Sequence, residues 1–468
     1  MTKPKTIKHK AVYGFHNKAN KYLELADNFL EDHPEVIYWT EANDSKKGLF
    51  YLYEKGLYRA CSTFEIESLL RNYIPSNPAI LLPKSLGLAK FQEVMRLIKS
   101  IRFFYRESFN PVNIVNFKNG FFDVNTGDMS PHNMETISTI QLPYNYDPDA
   151  ECPLFMRVLN EALSGDVEKI GIIQEFVGYC LIPSTKFMKA LFFVGASQSG
   201  KSTVLDSIEA TLGKENCSAI RMDMICDSRF IGHLIDKYVN IDREVPHEMS
   251  NYEEALKKVI SGEKITVNTK FLPSYDTNLT CKLMFAANDL PKINDTSDAI
   301  FERILLLDFN NVIAKDKRDA DLKDKIKQNE CAGIFNWAYI GLQRLLKNGK
   351  FTSSNDMISH IEELKLLNNS VYYFISETHE VTENDEHFVV VDDLYENYKD
   401  FCHEVGAKGI FKKPTFGKEM RKVFVNKIKD GRRNVKGSQV RVYTGIRKKD
   451  DISQYSPDEL AQGITWND

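Results

Sequence analysis

The sequence has no apolar run approaching the roughly 18 residues that a membrane-crossing helix requires. Its amino terminus, MTKPKTIKHK, is polar and lacks an apolar h-region, which predicts a protein that is not secreted and works in the cytoplasm. The eight cysteines (Cys61, Cys152, Cys180, Cys217, Cys226, Cys281, Cys331 and Cys402) are scattered, with no CxxC pair. That pattern argues against a zinc ribbon or a disulfide framework and fits reduced thiols. No internal repeat or low-complexity segment interrupts the chain. What remains is the composition of folded protein, 43% hydrophobic and 27% charged over 468 residues. That is enough apolar material for a large core and, at roughly 150 residues per domain, for about three domains.

Net charge is also small, at −4, which taken alone argues against a nucleic-acid partner. The average hides an asymmetry. Residues 401–450 hold fifteen Lys/Arg against four Asp/Glu, a net +11 that leaves −15 on the remainder. A local basic excess is the footprint of nucleic-acid binding, although a bare charge run is also what a solvated tail looks like. Here Val423, Phe424, Val425, Ile428, Val440, Val442, Tyr443 and Ile446 are interleaved with the charges, so the segment should fold.

The texture changes along the chain. Residues 1–145 read as an α+β domain. VIYWTEANDSKKGLFYLYEKGLYRAC alternates around Lys55-Gly56, and NIVNFKNGFFDVNTGDM carries turn residues at Asn119-Gly120 and Gly127, both as antiparallel strands do. FEIESLLRNYI and LAKFQEVMRLIKSIRFFY have helical spacing between them. Pro143, Asp147 and Pro148 mark a boundary, and 146–185 form a helical lead-in. In 186–320, four short apolar runs recur: ALFFV, YVNI, LMFAA and ILLLDF. They are too short for helices and do not alternate, as expected of strands buried on both faces in a parallel α/β core. A helical segment follows at 321–385, then a basic module at 386–449 and a polar tail at 450–468.

The most specific motif is GASQSGKS, Gly195 to Ser202, which fits G-x-x-x-x-G-K-[ST] after the strand ALFFV and before the helix STVLDSIEATL. Gly195 and Gly200 let the backbone curl so that amide groups from Ala196, Ser197, Gln198 and Ser199 through Thr203 face phosphate oxygens. Lys201 would reach the β- and γ-phosphates of ATP, and the Ser202 hydroxyl would ligate Mg²⁺. About forty residues on, KYVNIDREVP ends an apolar run with Asp242 and Glu244. One carboxylate could hold Mg²⁺ through water and the other polarise the attacking water. KLMFAANDLP puts Asn288 at the carboxyl end of another strand, the edge where open α/β sheets bind ligands. DAIFERILLLDF puts Arg303 just before a strand, where it could serve a neighbouring subunit as an arginine finger. Each of these taken singly also fits a strand end, a turn or a surface arginine; their order and spacing support one another.

GASQSGKS, NIDRE, LKKVISGEKITVNTKF, KLMFAANDLP and FERILLLDF together resemble the superfamily 3 helicases of phages, plasmids and other mobile elements. More narrowly they are similar to the phage/plasmid primase–helicases related to those of poxviruses. IVNFKNGFFDVNTGDMSPH, QLPYNYDPDAECPLF, GIFNWAYIGLQRLL and DDLYENYKDFCHEVG extend the resemblance over about residues 110–447. It also takes in the replication proteins of staphylococcal-type mobile genetic islands. The resemblance implies an AAA+-like ATPase core assembled as a homohexameric ring that unwinds DNA. It makes Lys201 and Ser202 the Walker A pair and Asp242 and Glu244 the Walker B acids. Asn288 becomes the sensor and Arg303 the finger. LKKVISGEKITVNTKF matches motif B′, before a hairpin that enters the ring channel in the family. Lys264, Lys270 and Phe271 are then candidate contacts to single-stranded DNA, with an ordinary surface loop as the alternative. Two departures stand out. Arg243 separates acids that are often adjacent in the family, and residues 1–145 carry no convincing acidic cluster or zinc pattern for primer synthesis.

The basic module reads as helix, helix and hairpin. VVVDDLYENYKDFCHEVG is amphipathic and ends at Gly406. KPTFGKEMRKVF has Pro414 in its first turn and Phe416, Met420 and Phe424 on one face, with Lys418, Arg421 and Lys422 on the other. NKIKDGRRNVKGSQVRVYTGI turns near Lys436-Gly437. The order resembles a winged helix, with Arg432, Arg433, Lys436 and Arg441 on the wing and duplex origin DNA as the partner. A protein-docking module is the alternative. The expectation for the whole chain is an ATP-dependent DNA helicase of replication initiation. The rival readings are an origin-binding protein that uses ATP as an assembly switch and a P-loop phosphotransferase.

Overall fold

The computed structural model describes residues 20–41, 44–76, 86–105, 108–245, 252–268, 274–288, 299–312, 319, 321–367, 369–382, 384–405, 410–435 and 437–449. Contacts divide the chain into two compact units. One comprises Met1–Val245, Glu254–Asn288 and Asp308–Thr352, and the other Pro246–Glu253, Asp289–Leu307 and Ser353–Asp468.

The first unit opens with α1 (Asn20–Asp32), then the meander β1 (Val36–Glu41), β2 (Asp44–Glu54) and β3 (Leu57–Cys61). The helices α2 (Thr63–Ser76) and α3 (Leu88–Ile101) lead to β4 (Phe103–Phe104), which closes a sheet of order β3-β2-β1-β4. Lys55 and Gly56 form the two-residue turn between β2 and β3, since Glu54 pairs with Leu57. Leu25, Phe29, Tyr38, Phe50, Leu70, Phe91 and Met95 bury the facing sides of helices and sheet. A second antiparallel sheet follows: β5 (Ile114–Phe117), β6 (Gly120–Asp123) and β7 (Met129–Ser130). Phe117 pairs with Gly120, so the turn itself is Lys118-Asn119, one residue earlier than the Asn-Gly expectation.

The lead-in is α4 (Pro153–Ala162) and α5 (Val167–Cys180). The Asp166 carboxylate caps α5, accepting from the amides of Glu168 and Lys169 at 3.0 Å each. Ten of its fourteen residues are buried, which is how a helix apolar on all sides must sit. The α/β core contains β8 (Ala190–Val194), α6 (Lys201–Leu212), β9 (Cys217–Ser218), β10 (Val239–Asp242) and α7 (Glu253–Ser261). It continues with the hairpin β11 (Lys264–Val267) and β12 (Tyr275–Asn278), then β13 (Lys282–Ala287); β14 (Ile304–Asp308) belongs to the second unit up to Leu307. All four apolar runs are strands. Within the unit β8, β13, β10 and β9 are neighbours in that order and all parallel. Every residue of β8 and β10 is buried, so the sheet is covered on both faces.

The unit ends with α8 (Leu322–Asn329) and α9 (Cys331–Asn348). Helix α9 packs along α5 at unusually close range. A Cβ added to Gly178 would lie 2.4 Å from the Ala338 carbonyl oxygen, and one added to Gly341 would lie 2.5 Å from that of Gln174. The other side of α9 receives the second sheet: the Phe335 ring is 4.7 Å from Phe117 and 5.3 Å from Phe122. Full burial of each such side chain contributes about 1.5–3 kcal/mol. The Tyr144 hydroxyl donates to the Thr211 carbonyl at 2.8 Å, tying this sheet's following loop to the end of α6.

In the second unit are α10 (Asn355–Leu367), α11 (Ser370–Thr378), β15 (His379–Val381), β16 (Phe388–Val390), α12 (Val391–Glu404) and α13 (Lys413–Val423). The strands β17 (Lys429–Val435), β18 (Ser438–Thr444) and β19 (Ile446–Lys448) follow. They pair as β16-β18-β17 and β15-β19. Phe374, Leu394, Tyr398, Phe416, Met420 and Tyr443 form one core, so α11 packs with the two helices and the hairpin that follow it. Gly406 lies outside the described residues. Among the described residues, no helix is long and apolar enough to cross a membrane.

A buried cation sits at the start of β13. Lys282 Nζ donates to the carbonyls of Ile182 and Thr280 and lies 4.6 Å over the Tyr179 ring. Burial pushes its ammonium down to about 8. Above that pH the folded chain has released a proton that the unfolded chain still holds, so stability rises with pH until the ordinary lysine range is reached. The melting temperature of Lys282→Met relative to wild type should therefore be highest near about pH 7 and fall as pH approaches about 10. A difference that does not change with pH would contradict this assignment.

Candidate active site and basic face

The P-loop begins where β8 ends. Gly195 has φ +143°, and a Cβ there would lie 2.3 Å from the Phe309 carbonyl oxygen, so only glycine fits. Phe309 is held in place by its amide, which donates to Val194 O at 2.7 Å. Gly200, at φ +93°, caps α6, and Gln198 also takes a left-handed backbone. Two such turns within six residues curl the loop into a concavity of backbone amides at a helix N-terminus. Ala196, Ser197, Gln198 and Ser202 are exposed, Gly195, Gly200 and Thr203 are half-buried, and Ser199 is buried. Lys201 is buried inside this loop. Its Nζ donates to the carbonyls of Gly195 and Ala196 and, at 3.4 Å, to the Ser199 hydroxyl. Burial holds its ammonium below the ordinary lysine range.

Asp242 ends β10 and is buried. Its Oδ2 accepts from the Met222 amide at 2.7 Å and its Oδ1 from the Glu244 amide at 3.1 Å. Asn240, two residues earlier on the same strand face, holds Ile220 by a 2.7 Å and a 2.9 Å hydrogen bond. Together they lace the segment 220–222 onto the strand. Glu244 is exposed. Arg243, which the sequence shows only as a separator of two acids, turns back onto α6 and pairs with Asp206 and Glu209 at 2.9 Å each. Lys323 also reaches Asp206, at 2.8 Å. Acids three residues apart on the P-loop helix were the available signal for that pairing; nothing in the sequence pointed to Asn240.

The register aligns these parts. Asp242 pairs with Phe285, Phe285 with Phe192, and Ala287 with Val194. The Gly195 amide donates to the Ala287 carbonyl at 3.3 Å, so Asn288, exposed and next in sequence, stands beside the start of the P-loop. Gly195–Thr203, Asp242, Glu244 and Asn288 thus share the carboxyl edge of one sheet. Arg303 belongs to the second unit, in a short turn where its Nη1 donates to the Ala299 carbonyl at 2.7 Å. Lys264 opens β11, exposed, with Nζ 4.0 Å from Asp276. Lys270 and Phe271 lie outside the described residues. Of the fitness for Mg²⁺, the described residues offer an exposed hydroxyl at Ser202 and a carboxylate at Asp242. They contain no cluster of three metal-ligating side chains, so any divalent ion here would depend on phosphate oxygens.

The second unit has a basic face. Lys418, Arg421 and Lys422 are exposed on α13, and Arg432, Arg433 and Arg441 on the β17–β18 hairpin. Val435 pairs with Ser438, which makes positions 436 and 437 the two-residue turn; Lys436 itself lies outside the described residues. Arg432 stands directly opposite Arg441 across the hairpin. Like charges so placed destabilise a sheet and are relieved by a polyanion. Asp430 draws helix and hairpin together, 3.5 Å from Arg421 and 3.7 Å from Arg441. Lys429 and Arg433 both contact Asp385, the former by a 2.8 Å ion pair.

The two acids separate by stability. Asparagine at 242 would turn one acceptor into a donor facing a buried backbone amide, which costs about 1–3 kcal/mol. Asp242→Asn should lower the melting temperature without any nucleotide present, whereas Glu244→Gln, at an exposed position, should leave it unchanged. Equal melting of both variants would contradict the hydrogen-bonding role of Asp242.

Comparison with known proteins follows the same division. Residues 89–164 match a family described as D5 N terminal like, and residues 367–458 one described as Poxvirus D5 protein-like. Residues 193–303, which contain the P-loop and both acids, match a family of unknown function, DUF5906. Protein 121R of Invertebrate iridescent virus 3, which carries a helicase name, is 19% identical over 378 residues, 68% of this chain. The chain spans 40% of that relative's length. Two apo structures of the NrS-1 C terminal region share the fold. One has a TM-score of 0.52 at 13% identity, covering 91% of this chain and 99% of that one; the other has 0.51 at 12%, covering 92% and 100%. With D5 matches on either side of a P-loop sheet, the chain is similar to the poxvirus D5-like primase–helicase family of superfamily 3 type, related to helicase–primases of viruses and mobile elements.

Proposed function

We propose that this chain is an ATP-driven DNA helicase that acts in replication initiation of a mobile element. The observation that carries the reading is the convergence of Gly195–Thr203, Asp242, Glu244 and Asn288 at one sheet edge. ATP is the substrate. Its phosphates replace the loop carbonyls as partners of Lys201, whose ammonium is already inside the loop and desolvated. A Mg²⁺ ion held by Ser202 and, through water, by Asp242 would neutralise phosphate charge. Glu244, exposed and one residue past a fixed strand end, orients and deprotonates the attacking water. Asn288 positions that water or the γ-phosphate. Arg303 acts in trans within a homohexameric ring, stabilising charge on a neighbour's nucleotide.

Lys264, Lys270 and Phe271 engage single-stranded DNA in the ring channel, by charge and by stacking. The winged-helix-like module at 386–449 binds duplex origin DNA through Lys418, Arg421, Lys422, Arg432, Arg433, Lys436 and Arg441. The Arg432–Arg441 juxtaposition, only partly offset by Asp430, supports a phosphate backbone as its partner. Phosphate contacts of this kind supply affinity and register rather than sequence choice.

Strand displacement on forked and origin duplexes tests the reading. Lys201→Ala and Glu244→Gln should each abolish ATP-dependent unwinding while duplex binding persists. Unwinding that survives both substitutions would overturn the helicase. A wild type that assembles with ATP but never unwinds, with Lys201→Ala losing that assembly, would identify the switch protein. For the basic module, Arg432→Ala with Arg441→Ala should weaken duplex binding and reduce the magnitude of its logarithmic salt slope by about 2. An unchanged slope would exclude those residues as phosphate contacts.

A further inference from the structure

The first unit holds an open cleft of about 490 Å³ away from the P-loop. Its walls come from distant parts of the sequence: Trp39 of β1, Tyr105 and Phe109 after β4, Asp236 before β10, and Lys264 and Tyr275 of the β11–β12 hairpin. The cleft thus joins the amino-terminal sheet, whose role the sequence leaves open, to the base of the hairpin.

Its chemistry is specific. Trp39 and Phe109 are buried, and the Trp39 ring meets Tyr275 edge-on at 5.4 Å. Tyr105 is 42% exposed, with its ring edge-on to Phe103 at 5.5 Å, which leaves part of the ring open to the cleft. The Trp39 indole nitrogen is buried and has no hydrogen-bond partner among the described residues. Burying a donor without an acceptor is unfavourable, and a ligand acceptor would relieve it. Two carboxylates also line the cleft. Asp236 accepts from Asn110 at 3.1 Å and the exposed Asp276 from Thr266 at 2.7 Å, so both offer oxygen acceptors to a ligand's donors. Positive charge is confined to Lys264, which is 69% exposed.

An aromatic-walled cleft with an orphan N–H, two carboxylates on its lining and an exposed lysine, Lys264, 4.0 Å from one of them fits a flat heterocycle carrying ring acceptors, exocyclic amino groups and an attached phosphate. We infer that this cleft is a nucleobase-binding pocket, with the base stacked against Tyr105 and Tyr275 and its phosphate at Lys264. A base of a single strand and the base of a free nucleotide share the chemistry that the pocket recognises. In the first case the inference rests on the single-strand binding proposed above and gives the amino-terminal sheet a part in it.

The test uses the full chain without ATP. Affinities are measured for labelled oligo(dC) and for an abasic oligomer of equal length, and dCMP is titrated by quenching of tryptophan fluorescence. Tyr105→Ala should weaken oligo(dC) binding about tenfold and leave the abasic oligomer unchanged. Trp39→Phe keeps an aromatic six-membered ring but removes the N–H together with the five-membered ring that carries it, and it too should weaken oligo(dC) alone. If oligo(dC) and the abasic oligomer bind alike but dCMP quenches wild type and not Tyr105→Ala, the pocket stands and takes free nucleotide. Base-independent losses, or no loss with any ligand, would overturn it. Base-dependent binding by a protein that fails to displace strands would overturn the helicase and leave the pocket standing.

Discussion

The candidate site depends on the parallel pairing of β8 with β13. That pairing sets Val194 beside Ala287, and the backbone continues it one step beyond the strands, through the Gly195 amide and the Ala287 carbonyl. Because β10 pairs in turn with β13, the ends of three strands are indexed against one another by backbone hydrogen bonds alone. A P-loop, an acid and an amide are brought to one sheet edge by this backbone pairing. Shifting one strand by a residue would reverse every side chain on it and dismantle both the site and the two-faced core beneath.

The same economy governs charge. Lys201 is satisfied by the carbonyls of its own loop, so the ammonium can be buried before any nucleotide arrives. Asp242 is committed to two backbone amides, which leaves Glu244 as the solvent-facing acid. Arg243, between them, is drawn away onto Asp206 and Glu209 and does not neutralise either one. In the second unit the logic reverses: Arg432 and Arg441 are left face to face on the surface. Near-neutral net charge conceals both arrangements, since it sums an acidic body and a basic module.

Much of this was legible in the sequence where the determinants are local. Unalternating apolar runs marked buried strands, Lys55-Gly56 marked a turn now seen between paired strands, and GASQSGKS declared its own loop geometry. The reading faltered where the partner is far away. Helix α9 lies in the helical segment expected over 321–385, but nothing local says that Gly178 and Gly341 let it pack on α5 about 160 residues earlier. Asn240 looked like one more residue of a buried run, although its amide group fixes the 220–222 segment. The cleft at Trp39 draws on stretches separated by over two hundred residues, and no periodicity carries such information. The placement of Arg303 in a turn of the second unit is likewise a matter of tertiary structure.

The central claim is that the nucleotide site and the DNA-binding surfaces serve one motor. The most direct measurement is the rate of ATP hydrolysis by the wild-type chain with and without single-stranded DNA. The account predicts a clear rise in turnover on adding DNA, lost in Lys201→Ala. Hydrolysis indifferent to DNA, or none at all under conditions where both ligands bind, would contradict it.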